Sequence, residues 1–529
     1  GEQDTGMFMV KLDAGDLTHV PWDESPLNAG HLQRNNSRAA RWGNNSNSNM
    51  VFDHGLLRLL YALARKGYGD RYGRGADQCI DDFFKYANNR NSGPKNEWRN
   101  LSKYSKLDSD TIQSRKTTRR YLDGKQISKF KKRDDVDWGD ETVYWSEEEW
   151  APAWGDHSGY NVLEDKARFR VHELKWAHPL WREMAKVNPK RTTDVAQTLR
   201  RHITQFRAPV EPRWEKIYPT NVEAGTLIQH AHWPDSVVEP GASIRHWPEE
   251  HVFAMPSSIA YWISGWAEMY RMTDNETYLE WISEQLDYIS EHQGKTGLFG
   301  TPLQSPRGNA TLYCTPWGTG AIGLLKASEI LDDHPIGEKC RELAVNWQRA
   351  FVKHADLKGN GSHYTKLDLD SGEGTKRQKG WQSYSVRTLA GLAYGYRITG
   401  RQEFKKFIDV KLGAFGLNNF VQENGRIVND AIPAKTDMKN LVHVMDALLN
   451  MYIAGGEAEY LESARRLADY VLEHYYVNGL FIAHHKKQGP EYYFNRWGCD
   501  DMAYSMFLLY RALEGKSIDQ YYFDPLVAY

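Results

Sequence analysis

The sequence predicts an all-α fold, an (α/α)6-7 toroid of helical hairpins with long loops on one rim. Three observations predict it. Six apolar stretches of helical period recur along 529 residues, at 55–64, 258–267, 318–327, 385–394, 443–452 and 500–509. From the second onward their starts lie 60, 67, 58 and 57 residues apart, room for two helices and their turns. Four are followed by turns that resemble one another: Gly69-Asp-Arg-Tyr72, Asp274-Asn-Glu-Thr-Tyr278, Gly400-Arg-Gln-Glu-Phe404 and Gly456-Glu-Ala-Glu-Tyr460. Repeated hairpins bury their apolar faces against neighbours. First helices this apolar belong inside a closed ring. Second helices then lie outside, and the loops before the inner helices gather at one mouth.

In chain order, residues 1–50 are polar and turn-rich, ending in Asn44-Asn-Ser-Asn-Ser-Asn49, and form an N-terminal lead-in. The toroid spans 51–515, its first hairpin occupying about 55–87. Residues 88–150 carry a basic run, Lys129-Phe-Lys-Lys-Arg133, and an acidic one, Glu147-Glu-Glu149, and read as a solvated insertion. A helix is expected from near Pro179 to about Phe206. Six prolines mark 207–254 as a second inserted loop, and loops of that length tend to be functional. Hairpins fill 256–515, and 516–529 is a short aromatic tail.

Composition narrows the partners. The formal charge is −2 and the pI about 6.9, so no global field favours nucleic acid or a membrane surface. Mean hydropathy is −0.69, and nothing approaches the roughly 18 unbroken apolar residues of a membrane helix. Aromatics reach 13 %, with 19 Trp, 30 Tyr and 18 Phe. Such rings stack on sugars, though large helical cores use them too. Cys79, Cys314, Cys340 and Cys499 show no metal-finger or CxxC spacing and are expected free and buried. The start at Gly1 with a polar stretch suits a secreted or periplasmic protein. The expected partner is an acidic polysaccharide, the expected state a monomer or weak homodimer.

No P-loop, strand-bound GxGxxG, HExxH or GxSxG is present, so chemistry must come from clusters on the rim. The first is Trp154-Gly-Asp-His157 with Arg170-Val-His-Glu-Leu-Lys175, ahead of a helix start. Its His157, His172, Glu173 and Lys175 fit a substrate-gripping wall, a divalent-metal site or plain loop caps. The second is Gln229-His-Ala-His-Trp233 with Arg245-His-Trp-Pro-Glu-Glu-His251, four histidines within 22 residues. Here His246 and His251 are candidate acids or bases, with a pKa of about 6.5. His230 and Arg245 are candidate substrate contacts. The third is Ser305-Pro-Arg-Gly-Asn-Ala-Thr-Leu-Tyr313, just before an inner helix that also carries Trp317. Arg307 offers a fork for a carboxylate, and Tyr313 a phenol that ionises more readily beside cations. Two later loops, 374–384 with Trp381 and Tyr384, and 491–497 with Arg496, mix positive charge with rings. That mixture suits an acidic polysaccharide.

Cationic groups and a tyrosine without an isolated acid pair match β-elimination of a uronate better than hydrolysis. The proton at C5 is removable only once the neighbouring carboxylate is neutralised. A hydrolase needs two carboxyls either about 5.5 Å or about 6.5–9.5 Å apart. Glu249/Glu250 and Asp500/Asp501 are adjacent in sequence, which leaves that geometry open.

The hairpin ring, Trp154-Gly-Asp-His157, and His172-Glu-Leu-Lys175 followed by Pro179-Leu-Trp-Arg-Glu-Met184 resemble the toroidal polysaccharide lyases. The closest resemblance is to polysaccharide lyase family 38, which cleaves alginate or glucuronan. It implies an (α/α)7 barrel and a cofactor-free Tyr/His mechanism with an arginine near the tyrosine. Arg307 and Tyr313 match that pattern, with His246 or His251 as the histidine. The pectate lyases of family 2 are similar too, and they hold a metal with two His and a Glu. His157, Glu173 and His230 would fill those positions, but Gln229 stands where that family's arginine is expected. An (α/α)6 glycoside hydrolase is the other alternative.

Overall fold

The computed structural model describes residues 11–13, 54–82, 180–193, 256–291, 293–299, 311–313, 315–378, 380–415, 432–433, 436–487, 492–494 and 498–518. Among these, helices α1 His54–Arg65 and α2 Asp70–Asp82 form the first hairpin, and α3 Trp181–Val187 follows. Then come the pairs α4 Pro256–Thr273 with α5 Thr277–Glu291, and α6 Thr315–Ile330 with α7 Pro335–His354. The last are α8 Ser383–Thr399 with α9 Gln402–Ala414, α10 Met438–Gly455 with α11 Ala458–Tyr475, and α12 Cys499–Leu513.

The first helices form the inner layer. Each of α4, α6, α8, α10 and α12 packs on the next, and α12 packs on α1. Helix α3 touches both α2 and α4, so the arc returns on itself, while α5, α7 and α9 adjoin outside it. The protein is an all-α toroid. The two layers follow from composition. Helix α10 is buried on every face from Asn440 to Met451. Its partner α11 buries only one stripe, including Tyr460, Ala464, Leu467 and Val471. A helix apolar all round must be enclosed, whereas a striped one makes a wall.

Three of the four recurrent turns share one geometry, and the first differs, with Gly69 at φ 135°. The Asp274, Gly400 and Gly456 N–H groups donate to Tyr270, Tyr396 and Tyr452 carbonyls at 2.8, 2.7 and 2.7 Å. All three take left-handed φ values of 51, 65 and 69°, which glycine adopts without a Cβ clash. The expected helix from Pro179 to Phe206 is instead broken at Asn188 (φ −150°, ψ 89°), with a second helical segment at 189–193. Pro189 explains the break, because proline pushes the residue before it out of the helical region. Positions beyond 193 in that stretch lie outside the described residues.

Short strands decorate the helices, unannounced by any alternation in the sequence. β1 Lys11–Asp13, in the lead-in, pairs antiparallel with β7 Tyr492–Phe494, just ahead of α12. β2 Thr311–Tyr313, β3 His363–Asp368 and β4 Gly374–Gln378 make an antiparallel sheet in that order. β5 Tyr476–Val477 and β6 Leu480–Phe481 form a hairpin after α11. Cys79, Cys340 and Cys499 are buried, and Cys314 lies outside the described residues.

Candidate functional site

Inner helices separated by one returning helix must run parallel, and contacts at matching depths along them agree. Asn440, in the first turn of α10, donates from Nδ2 to the carbonyl of Trp381, just before α8, at 3.2 Å. Ser505 of α12 donates to Asp446 of α10 at 2.7 Å. A Cβ on Gly55 of α1 would stand 2.7 Å from the Asp501 backbone nitrogen on α12. The starts of α1, α8, α10 and α12 therefore share one end of the ring. Helix starts present unpaired N–H groups and a partial positive charge, so that end favours anions.

Charged and polar side chains are buried there. Arg58 Nη2 donates to Asp501 Oδ1 at 2.7 Å, and its guanidinium lies over the Tyr504 ring at 5.3 Å. Burial pushes the Asp501 carboxyl up to about 6, against the pull of Arg58. The Tyr493 hydroxyl, on β7, donates to Asp500 Oδ1 at 2.7 Å. Along α10, Asn440, His443, Asp446 and Asn450 fall on one face at helical spacing, all buried. Burial, with Arg387 and Lys439 adding, holds His443 well below the usual imidazole value, so the ring is neutral. Arg387 belongs to α8, one turn in from its start.

A second arrangement lies at the start of α6. Tyr313 ends β2 and sits directly across from Lys366 of β3, which in turn sits across from Lys376 of β4. By backbone register one cross-strand row thus holds a tyrosine and two lysines, with the β3–β4 pairing shifted on either side of Lys366. Behind it, Lys411 Nζ donates to the Gly361 carbonyl at 3.0 Å, to Ser385 Oγ, and to His363 Nδ1 at 3.3 Å. His363, buried beside that ammonium, is lowered to about 3.

Of the residues singled out in the sequence, Tyr313 is placed on β2 and Trp317 and Tyr384 in the first turns of α6 and α8, by their backbones. Trp381 is 8 % exposed, its ring 5.1 Å from that of Phe415. His246, His251, Arg307, His157, His172, Glu173, Lys175, His230, Arg245 and Arg496 lie outside the described residues, and with them the alternative metal set His157, Glu173 and His230. Among the described residues no group of three or more His, Cys, Asp or Glu is set to hold a metal, and no helix is long and apolar enough to cross a membrane.

The stripe on α10 and the pair Arg58–Asp501 were missed in the sequence as site residues. One signal was available: polar residues at spacings of three, three and four inside an otherwise apolar helix. A helix enclosed on all sides excludes such residues unless they have partners or work to do.

No family model matches the chain, and no curated protein matches it. Among solved structures it is similar to an unsaturated glucuronyl hydrolase from Bacillus sp. GL1, responsible for the degradation of glycosaminoglycan. That likeness has 13 % identity and a TM-score of 0.39, covering 67 % of this chain and 88 % of that one. A family 76 glycoside hydrolase from a bovine Bacteroides thetaiotaomicron strain is similar at 10 % identity and a TM-score of 0.40, covering 66 % and 70 %. A D-mannose isomerase is similar at 12 % identity and a TM-score of 0.37, covering 50 % and 73 %.

Proposed function

We propose that this chain is a carbohydrate-active enzyme that cleaves a uronic-acid polymer, alginate or glucuronan, by β-elimination. The observation that carries the reading is the cross-strand row of Tyr313, Lys366 and Lys376 on the strand leading into inner helix α6. Cations beside a phenol favour its ionised form, and cations beside a uronate carboxylate make the C5 proton acidic. The ionised tyrosine takes that proton, the C4–C5 double bond forms, and the C4–O4 bond breaks. Tyr313 then returns the proton to O4 when both lie on one side of the sugar. Otherwise His246 or His251 takes the C5 proton and the neutral Tyr313 phenol gives its own proton to the leaving O4. Arg307 binds the carboxylate. The product is a 4,5-unsaturated uronate, and no cofactor enters the step. Such polymers are met outside the cytoplasm, which agrees with secreted or periplasmic residence.

Incubation with alginate, glucuronan and pectate, followed by ultraviolet absorbance of the unsaturated product, tests this directly. Tyr313→Phe is expected to abolish turnover while polymer binding stays within about threefold, because only the proton-carrying oxygen is lost. Near-normal turnover in that variant would refute the assignment. A glycoside hydrolase is the second reading, favoured by Asp500 and Asp501 buried at the mouth and Asp446 buried midway along α10. Asp501, raised to about 6, is suited to hold a general acid's proton. It predicts new reducing ends without the chromophore.

A further inference from the structure

Three side chains on the α10 stripe, Asn440, His443 and Asn450, have hydrogen-bonding capacity that the protein leaves unused, and the first two lie nearest the helix start. His443 is 1 % exposed, and neither Nδ1 nor Nε2 has a hydrogen-bond partner. Asn440, one turn nearer the mouth and 7 % exposed, commits Nδ2 to the Trp381 carbonyl while Oδ1 has no partner. A buried polar group left without a partner costs roughly 1–3 kcal/mol. Two such residues on adjacent turns of one helix face therefore point to an occupant. Arg387, 4 % exposed on α8, and Lys439 bring positive charge to the same imidazole, at the helix end that favours anions.

We propose that Asn440, His443 and Arg387 form a seat for one sugar residue that bears a carboxylate. Arg387 meets the carboxylate, and the N–H of the neutral His443 ring donates to it. The other His443 nitrogen and Asn440 Oδ1 accept from ring hydroxyls. Phosphate or sulfate offers oxygens that only accept when fully ionised, and would leave those two acceptors unpaired. A neutral sugar makes no use of the positive charge. A uronate supplies both kinds of group. The seat deepens the polyuronate reading and rests on it for the choice of sugar.

Calorimetric titration of the full chain with sodium glucuronate, glucose and inorganic phosphate tests the seat. Glucuronate is expected to bind at least tenfold more tightly than either of the others. His443→Phe, Asn440→Leu and Arg387→Met are each expected to weaken glucuronate at least tenfold. His443→Phe replaces an unpartnered polar ring with an apolar one, so it is expected to melt at or above the wild-type temperature, whereas Asn440→Leu also gives up the hydrogen bond to the Trp381 carbonyl and is expected to melt lower. A melting temperature raised with glucuronate affinity unchanged would mean plain core positions and would overturn the seat. Equal affinity for phosphate or glucose would overturn it as well. Polymer turnover measured in parallel separates the two claims. Wild-type KM and kcat on a polyuronate in all three variants defeats the seat and leaves the lyase standing. Glucuronate binding that these variants abolish, without any unsaturated product from any polymer, defeats the lyase and leaves the seat.

Discussion

Arg58 Nη2 and Asp501 Oδ1 meet across 2.7 Å with their side chains 7 % and 8 % exposed. Removing one partner strands the other charge where little water can reach it, at a cost of about 3–5 kcal/mol. Asp501 can escape that cost by taking a proton, since burial already lifts its carboxyl to about 6. Arg58→Met is therefore expected to destabilise the fold by about 3 kcal/mol at pH 8 and by clearly less at pH 5, measured by urea unfolding at each pH. His363 works in the other direction. Burial and Lys411 hold it neutral down to about pH 3, whereas the unfolded chain protonates it near 6.5. Below pH 6.5 the unfolded state takes up a proton that the folded state refuses. Stability from this residue thus falls by about 1.4 kcal/mol per pH unit as pH drops towards 3, and is flat above 6.5. In His363→Gln the acid limb of a pH–stability curve should shallow by one proton.

Two glycines show how the elements differ. Gly456 ends α10 at φ 69° with nothing near its missing Cβ, so its role is conformational alone. Gly456→Ala should cost about 1 kcal/mol through left-handed strain. Gly323, inside α6, faces the Ala260 backbone of α4, where a Cβ would stand 2.5 Å from the carbonyl carbon. Helix propensity alone favours Gly323→Ala by about 1 kcal/mol. The close approach of α4 and α6 reverses the sign, because the two helices would have to separate and give up their packing. Thermal melts should therefore show Gly323→Ala losing more than Gly456→Ala. Equal shifts would mean that α4 and α6 do not lie this close.

Across the molecule, the ring is joined by contacts between chain segments far apart in sequence. Gly55 and Arg58 of α1 fit against Asp500 and Asp501 of α12, and Trp181 of α3 lies against Gly265 of α4, where a Cβ would stand 2.6 Å from the indole nitrogen. Closure fixes how α8, α10 and α12 face one another, and so what the α10 stripe meets. Gly55→Val, at the α1–α12 joint, is expected to lower the melting temperature by several degrees and, on the proposed polyuronate substrate, turnover at least tenfold together. Circular dichroism melts and the unsaturated-product assay read the two effects on one preparation. Full turnover in a destabilised Gly55→Val would show that the mouth does not depend on the α1–α12 joint.

The sequence by itself determined the hairpins. Helical period, an all-apolar first helix and a glycine or aspartate at each turn are properties of neighbouring residues, and Gly400, Gly456 and Asp274 took the left-handed turn that their chemistry allows. The same local reading extended one helix through Asn188, where Pro189 breaks it. Only the tertiary structure decided which polar residues share a space. His443 reads as one polar residue in an apolar run until α8 brings Arg387 beside it, and Tyr313 gains its lysine neighbours only when β3 and β4 fold back on β2. Burial and charge at those positions are set by partners distant in the chain, and no local pattern encodes a distance between them.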